Sequence, residues 1–160
     1  MPAVKLLLLP LLLCLITNQL PAQSTLDGTW EGFMTVGGIH SDKQLPTQLY
    51  LKTTGKKVEV RSYVQLPDGS TLRMDLNGYL YNDYSITLIE TSFAGDAHNE
   101  IMPEFNRQYQ IVFKADLWDP KIKGFWQEQT EDTFGEKRRR GRMSLTRRKV
   151  KGGELVILNL

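Results

Sequence analysis

The sequence predicts an all-β protein whose one domain is an eight-stranded antiparallel up-and-down β-barrel. Three observations carry that reading. Apolar and polar residues alternate with period two in eight separate segments, the mark of strands with one buried face. Gly, Pro, Asn and Asp punctuate the chain between those segments, each suited to turns for its own steric reason. Helical periodicity is nearly absent, so no helix is available to cover the apolar side of the sheet. Such a sheet must close on itself or fold as a sandwich. Short connections between successive segments favour closure.

Residues 1–22 read as a signal peptide ahead of residues 23–160. Lys5 supplies a positive start, and 6–16 is an apolar run broken only by Pro10 and Cys14. That run is too short for the roughly 20 residues of a membrane-spanning helix. Ala22 suits the residue before a cleavage point. The competing readings are a buried N-terminal helix, a retained anchor, or a lipid attached at Cys14. Export to a secreted or periplasmic location is therefore the expectation, with no transmembrane segment in the mature chain. Cys14 is the only cysteine, so the domain carries no disulfide, thiol chemistry or cysteine-based metal site. Its stability must come from its core, for which a chain of this length suffices.

The first strand spans 28–36, with Trp30, Gly32, Met34 and Val36 on one face. The second spans 47–53 and alternates Leu49 and Leu51 with Gln48, Tyr50 and Lys52. Gly55 turns the chain into the third, 57–66, where Val58, Val60, Ser62, Val64 and Leu66 share a face. Pro67-Asp68-Gly69-Ser70 is a turn, because Pro presets φ and Gly accepts positive φ. The fourth, 71–81, sets Leu72, Met74, Leu76, Gly78 and Leu80 inward. The fifth, 84–92, does the same with Ile86, Leu88 and Glu90. A long loop, 93–106, precedes the sixth strand, 107–117, with Tyr109, Ile111, Phe113 and Ala115 inward. Trp118-Asp119-Pro120 turns into the seventh, 121–130, with Ile122, Gly124 and Trp126 inward. The eighth, 141–148, places Met143, Leu145 and Arg147 on one face. The outward faces are polar, the reverse of a membrane barrel.

Charge is distributed unevenly. Residues 23–136 hold 17 acidic and 10 basic side chains, whereas 137–151 hold nine basic ones and no acid. The run Lys137-Arg138-Arg139-Arg140-Gly141-Arg142 either meets an anionic polymer or lipid head group, or is a solvated hairpin balanced by Glu128, Glu131, Asp132 and Glu136. For an exported chain, glycan or lipid outranks nucleic acid, and no nucleic-acid partner is expected.

Gly28-Thr29-Trp30 on the first strand and Leu145-Thr146-Arg147 on the last resemble the closure motif of the calycin group, which includes lipocalins and avidins. The likeness is closest to uncharacterised secreted lipocalin-like proteins of bacteria. It implies a barrel whose floor is closed by Trp30 under Arg147. It names no ligand, since function lives in sites grafted onto folds.

An eight-stranded barrel has room to be filled with side chains or to hold one small ligand. Met34, Leu51, Val60, Met74, Leu88, Glu90, Phe113 and Trp126 are the candidate interior ligand residues. Gly32, Gly78 and Gly124 either leave space there or let the strands bend. Inward Glu90 and Glu128 are costly in an apolar barrel unless paired. Glu90 either anchors a ligand's polar end or pairs with an arginine such as Arg147. No nucleophile or oxyanion-hole pattern accompanies them, so no enzymatic activity is expected and no cofactor is implied. Asp96, His98 and Glu100 alternate in the long loop, with His40 elsewhere, but polar loops carry such residues by chance; no metal site is assigned. The apolar segment 152–160 either adds to the barrel or pairs with another chain.

Two functions follow as expectations: a barrel binding a small apolar or amphipathic ligand, or a filled, non-catalytic module docking on an anionic glycan, lipid head group or partner protein. An open interior favours the first and a packed one the second.

Overall fold

The computed structural model describes residues 25–94, 107–129 and 138–148. The expected leader, the Asp96–His98–Glu100 loop and the C-terminal apolar segment lie outside the described residues. Eight strands follow in order: β1 (Gly28–Thr35), β2 (Gln44–Thr54), β3 (Lys57–Gln65), β4 (Thr71–Leu80), β5 (Ser85–Phe93), β6 (Arg107–Lys114), β7 (Lys121–Glu128) and β8 (Arg140–Arg147). Each pairs antiparallel with its neighbours, and β8 returns to β1 through Trp30 opposite Arg147 and Gly32 opposite Leu145. The sheet is a closed up-and-down barrel, the predicted fold class. Closure leaves no free edge to aggregate. No helix among the described residues is long and apolar enough to cross a membrane.

The parity read from the sequence holds through most of the barrel; it breaks at the end of β1, where Met34 and Thr35 are both buried, at the end of β5, where Thr91 and Ser92 both face water, and at Ala115, expected inward but exposed beyond the end of β6. Val58, Val60, Ser62 and Val64 are buried along β3 while Lys57, Glu59, Arg61 and Gln65 are exposed. Two boundaries differ from expectation by three residues, and the others by two at most. β2 begins at Gln44, three residues early, and carries Pro46 in the strand. There β2 has outrun its β3 partner, whose pairing starts at Thr47, so the missing N–H leaves no gap on that side. β6 ends at Lys114 and not at Leu117, because the Asp116 carboxylate accepts the N–H groups of Trp118 (2.9 Å) and Asp119 (3.1 Å) and turns the chain.

The glycines on the inward face are bends. A Cβ at Gly124 would overlap the Gln110 carbonyl, and one at Gly78 would overlap that of Thr87. The neighbouring strand occupies the place of a side chain, which lets the sheet coil tightly enough to close.

Two ends result. The floor gathers the start of β1, the short turns after β2, β4 and β6, and the end of β8. The mouth gathers the ends of β1, β3, β5 and β7 and the starts of β2, β4, β6 and β8.

Candidate functional site

Interior positions come first. A chamber large enough for a ligand would leave its lining side chains open to water. Instead Trp30, Met34, Leu88, Ile122 and Leu145 are 0% exposed, and Leu51, Val60, Met74, Phe113 and Trp126 are buried with them in one continuous core. The barrel is filled by side chains through its described length.

The floor is closed by the expected pair. Trp30 donates Nε1–H to the Leu26 carbonyl at 2.8 Å and packs edge-on against Phe113. The Arg147 guanidinium lies 5.9 Å from the Trp30 ring centre and donates to the Thr25 and Asp27 carbonyls, at 2.7 and 2.6 Å. Asp27 accepts from the backbone N–H and hydroxyl of Thr53, tying the chain entry to β2. Backbone carbonyls occupy Arg147, so its role is closure.

A second arginine-on-indole contact sits at the mouth and was not read from the sequence. Arg107 lies over Trp126, 4.6 Å from the ring centre, with Nη1 3.6 Å from Met34 Sδ. Glu90 accepts the Arg107 backbone N–H at 2.9 Å and the Tyr109 hydroxyl at 2.7 Å. The suggested pairing of Glu90 with Arg147 is therefore wrong: the two share an inward face but stand at opposite ends. Burial raises the Glu90 pKa above the usual carboxylate range, opposed by the Tyr109 hydroxyl and the Arg107 charge. Burial, with the Glu90 charge second, pushes the Tyr109 phenol well above its usual range, so it remains a donor. An irregularity between Asp75 and Leu76 admits Thr91 as an extra residue in β5, so Glu90 stays inward while Thr91 and Ser92 face water. Continuing the inward alternation of β6 two residues back from Tyr109 flags Arg107.

Glu128 continues this polar rim. Arg139 Nε forms an ion pair with Glu128 Oε1 at 2.6 Å, and the Arg139 backbone N–H donates to Oε2 at 3.2 Å. Of the basic run, Arg138 is half-buried and Arg139 is held by Glu128, whereas Arg140 and Arg142 are exposed on β8. His40 is exposed, and no cluster of potential metal ligands occurs among the described residues.

The outer wall of β6–β8 is the second feature that sequence order concealed. Its outward residues are Gln108, Gln110, Val112 and Lys114 on β6, Lys121, Lys123, Phe125 and Gln127 on β7, and Arg140, Arg142, Ser144 and Thr146 on β8. They include five cations and no acid. Cross-strand pairing sets Phe125 beside both Gln110 and Arg142, and Lys123 beside Ser144. Phe125 is 54% exposed at the centre of this face. A groove of about 230 Å³ runs beside it toward the mouth, lined by Ile39, Gln108, Gln110, Gln127, Arg140 and Gly141 together with Phe125 and Trp126. Amide side chains can both donate and accept hydrogen bonds, and an exposed ring offers an apolar platform. Arg140 adds a planar cation suited to carboxylate, sulfate or phosphate.

No family model, curated protein or solved structure matches the chain. The closed eight-stranded antiparallel barrel is compatible with a calycin-like fold.

Proposed function

We propose that this chain is a non-catalytic docking module, exported from the cytoplasm, whose β6–β8 wall holds an anionic glycan. The observation that carries the reading is the wall itself: five cations, no acid and one exposed aromatic on three adjacent strands. Clustered charge of one sign raises the local concentration of an oppositely charged polymer. The groove beside Phe125 supplies what a sugar needs beyond charge: amides for hydroxyls and a ring for the apolar face of the pyranose. The filled interior supports a surface function over an enclosed one.

Binding to dextran sulfate, with uncharged dextran as control, tests the proposal. Dextran sulfate should bind at low salt and release toward 1 M salt, where the screening length shrinks from about 8 Å to about 3 Å. Equal retention on both polymers, or none on either, would count against it. The reading in which an apolar molecule occupies the interior requires the core to part. Native mass spectrometry should therefore find the protein without a bound small molecule; an adduct surviving purification would favour that reading instead.

A further inference from the structure

The loop joining β6 to β7 presents Leu117 and Trp118 to water at 87% and 82% exposure, well beyond the next large apolar side chain among the described residues, Tyr50 at 56%. A slack loop could fold these side chains back onto the barrel. This one is pinned: Asp116 accepts the N–H groups of Trp118 and Asp119, and its own N–H donates to the Lys114 carbonyl at 3.0 Å. Pro120 fixes the exit into β7. Both acids of the loop are engaged, Asp116 by backbone and Asp119 by Lys121 at 2.5 Å. Lys114 and Lys121 face each other at the base of the hairpin, and Lys123 follows on the same wall. The result is an apolar tip above three lysines that outnumber the two carboxylates of the loop by one, at the floor and away from the Phe125 groove.

We propose that this tip is an anchor for an anionic phospholipid bilayer. Trp118 sits at the head-group level, as amphipathic rings do at membrane interfaces, and Leu117 reaches the acyl boundary. Lys114 and Lys123, beside the Lys121 that Asp119 holds, meet lipid phosphates, where each nearby cation adds to adsorption. Charge complementarity and the pairing of an indole with an aliphatic tip select the bilayer as occupant. The lysines belong to both surfaces, so the readouts that separate this proposal from the glycan reading are Leu117 and Trp118, which lie outside the β6–β8 wall.

The chain has three tryptophans; Trp30 and Trp126 are buried at 0% and 2% exposure, so Trp118 alone reports on water. Its emission is followed while vesicles are added, either phosphatidylcholine alone or phosphatidylcholine mixed with phosphatidylglycerol. The whole chain and the chain beginning at Gln23 are measured in parallel, which separates the anchor from any contribution of the apolar leader. Mixed vesicles should shift the emission to the blue and protect it from acrylamide, and phosphatidylcholine alone should do so weakly. Trp118→Ala and Leu117→Ser should each weaken co-sedimentation by about tenfold, with an unchanged near-ultraviolet signature of Trp30 and Trp126 showing intact folding. Lys114→Gln should weaken it on mixed vesicles only. Unshifted emission with both vesicles, or co-sedimentation indifferent to both tip variants, would overturn the proposal. So would emission already blue and shielded in buffer, because the tip would then be covered by the protein's own chain, a second copy or a protein partner.

Discussion

The wall made by β3–β5 and the wall made by β6–β8 share an interior and differ outside. Inward, Val60, Leu76 and Leu88 on one side match Ile111, Ile122 and Leu145 on the other, all at 4% exposure or less. Outward, the first wall mixes its signs: Glu59, Arg61 and Asp75 stand together, with Arg61 and Asp75 2.7 Å apart. The second wall carries cations alone. The demands of a closed core constrain every second residue equally around the barrel, and the other half of the residues is left for function. An uneven outer face is therefore informative where an even inner face is not.

The interior half of this comparison predicts the largest effects. Leu88→Ala and Ile122→Ala should each destabilise by about 2–5 kcal/mol in denaturant unfolding, since both truncate fully packed side chains. A cost below about 1 kcal/mol on one side only would indicate space beside that wall and revive an interior ligand. Gly124→Ala should also destabilise strongly, because the Gln110 carbonyl stands where the methyl would go.

The exterior half predicts an asymmetry in binding. Lys123→Glu combined with Arg142→Glu should lower affinity for dextran sulfate by about tenfold or more, with little change in unfolding temperature. Arg61→Glu, on the opposite wall, should leave that affinity within about twofold. Similar losses from both walls would reduce the effect to overall charge.

A smaller effect distinguishes the mouth from both walls. The raised pKa of Glu90 means that the folded state holds its proton more tightly than the unfolded chain. Its contribution to stability is complete below the ordinary glutamate range and is lost as pH rises through the raised folded value. Glu90→Gln, which mimics the protonated form, should therefore gain on the native protein between acidic and neutral pH. An unchanged difference across that range would contradict the assignment. Smallest of all, Arg61→Ala should cost at most a few tenths of a kcal/mol, as exposed ion pairs do.

Period-two alternation made the barrel legible because a strand reports its parity residue by residue. It placed Trp30 and Arg147 inward, and closing β1 onto β8 brought them together. Parity says nothing about height along the barrel, which is why Glu90 was matched with Arg147 and not with Arg107 and Tyr109, 17 and 19 residues away across the long loop. The cationic wall was hidden for a related reason. Lys114, Lys121, Lys123 and Arg142 are scattered in the chain and become neighbours only through the β6–β7–β8 register. The run at 137–142 is the conspicuous one in the sequence, although Arg139 is engaged by Glu128. Pro46 was read as outside a strand, since its tolerance there depends on where the β3 partner stops.

Amide chemical-shift mapping during titration with a sulfated oligosaccharide tests the docking wall most directly. The account predicts that shifts concentrate at Gln110, Lys123, Phe125 and Arg142, with Met74 and Leu88 unmoved. Shifts centred on Met74, Leu88 and the other core positions, or on Arg61 and Asp75 across the barrel, would contradict it.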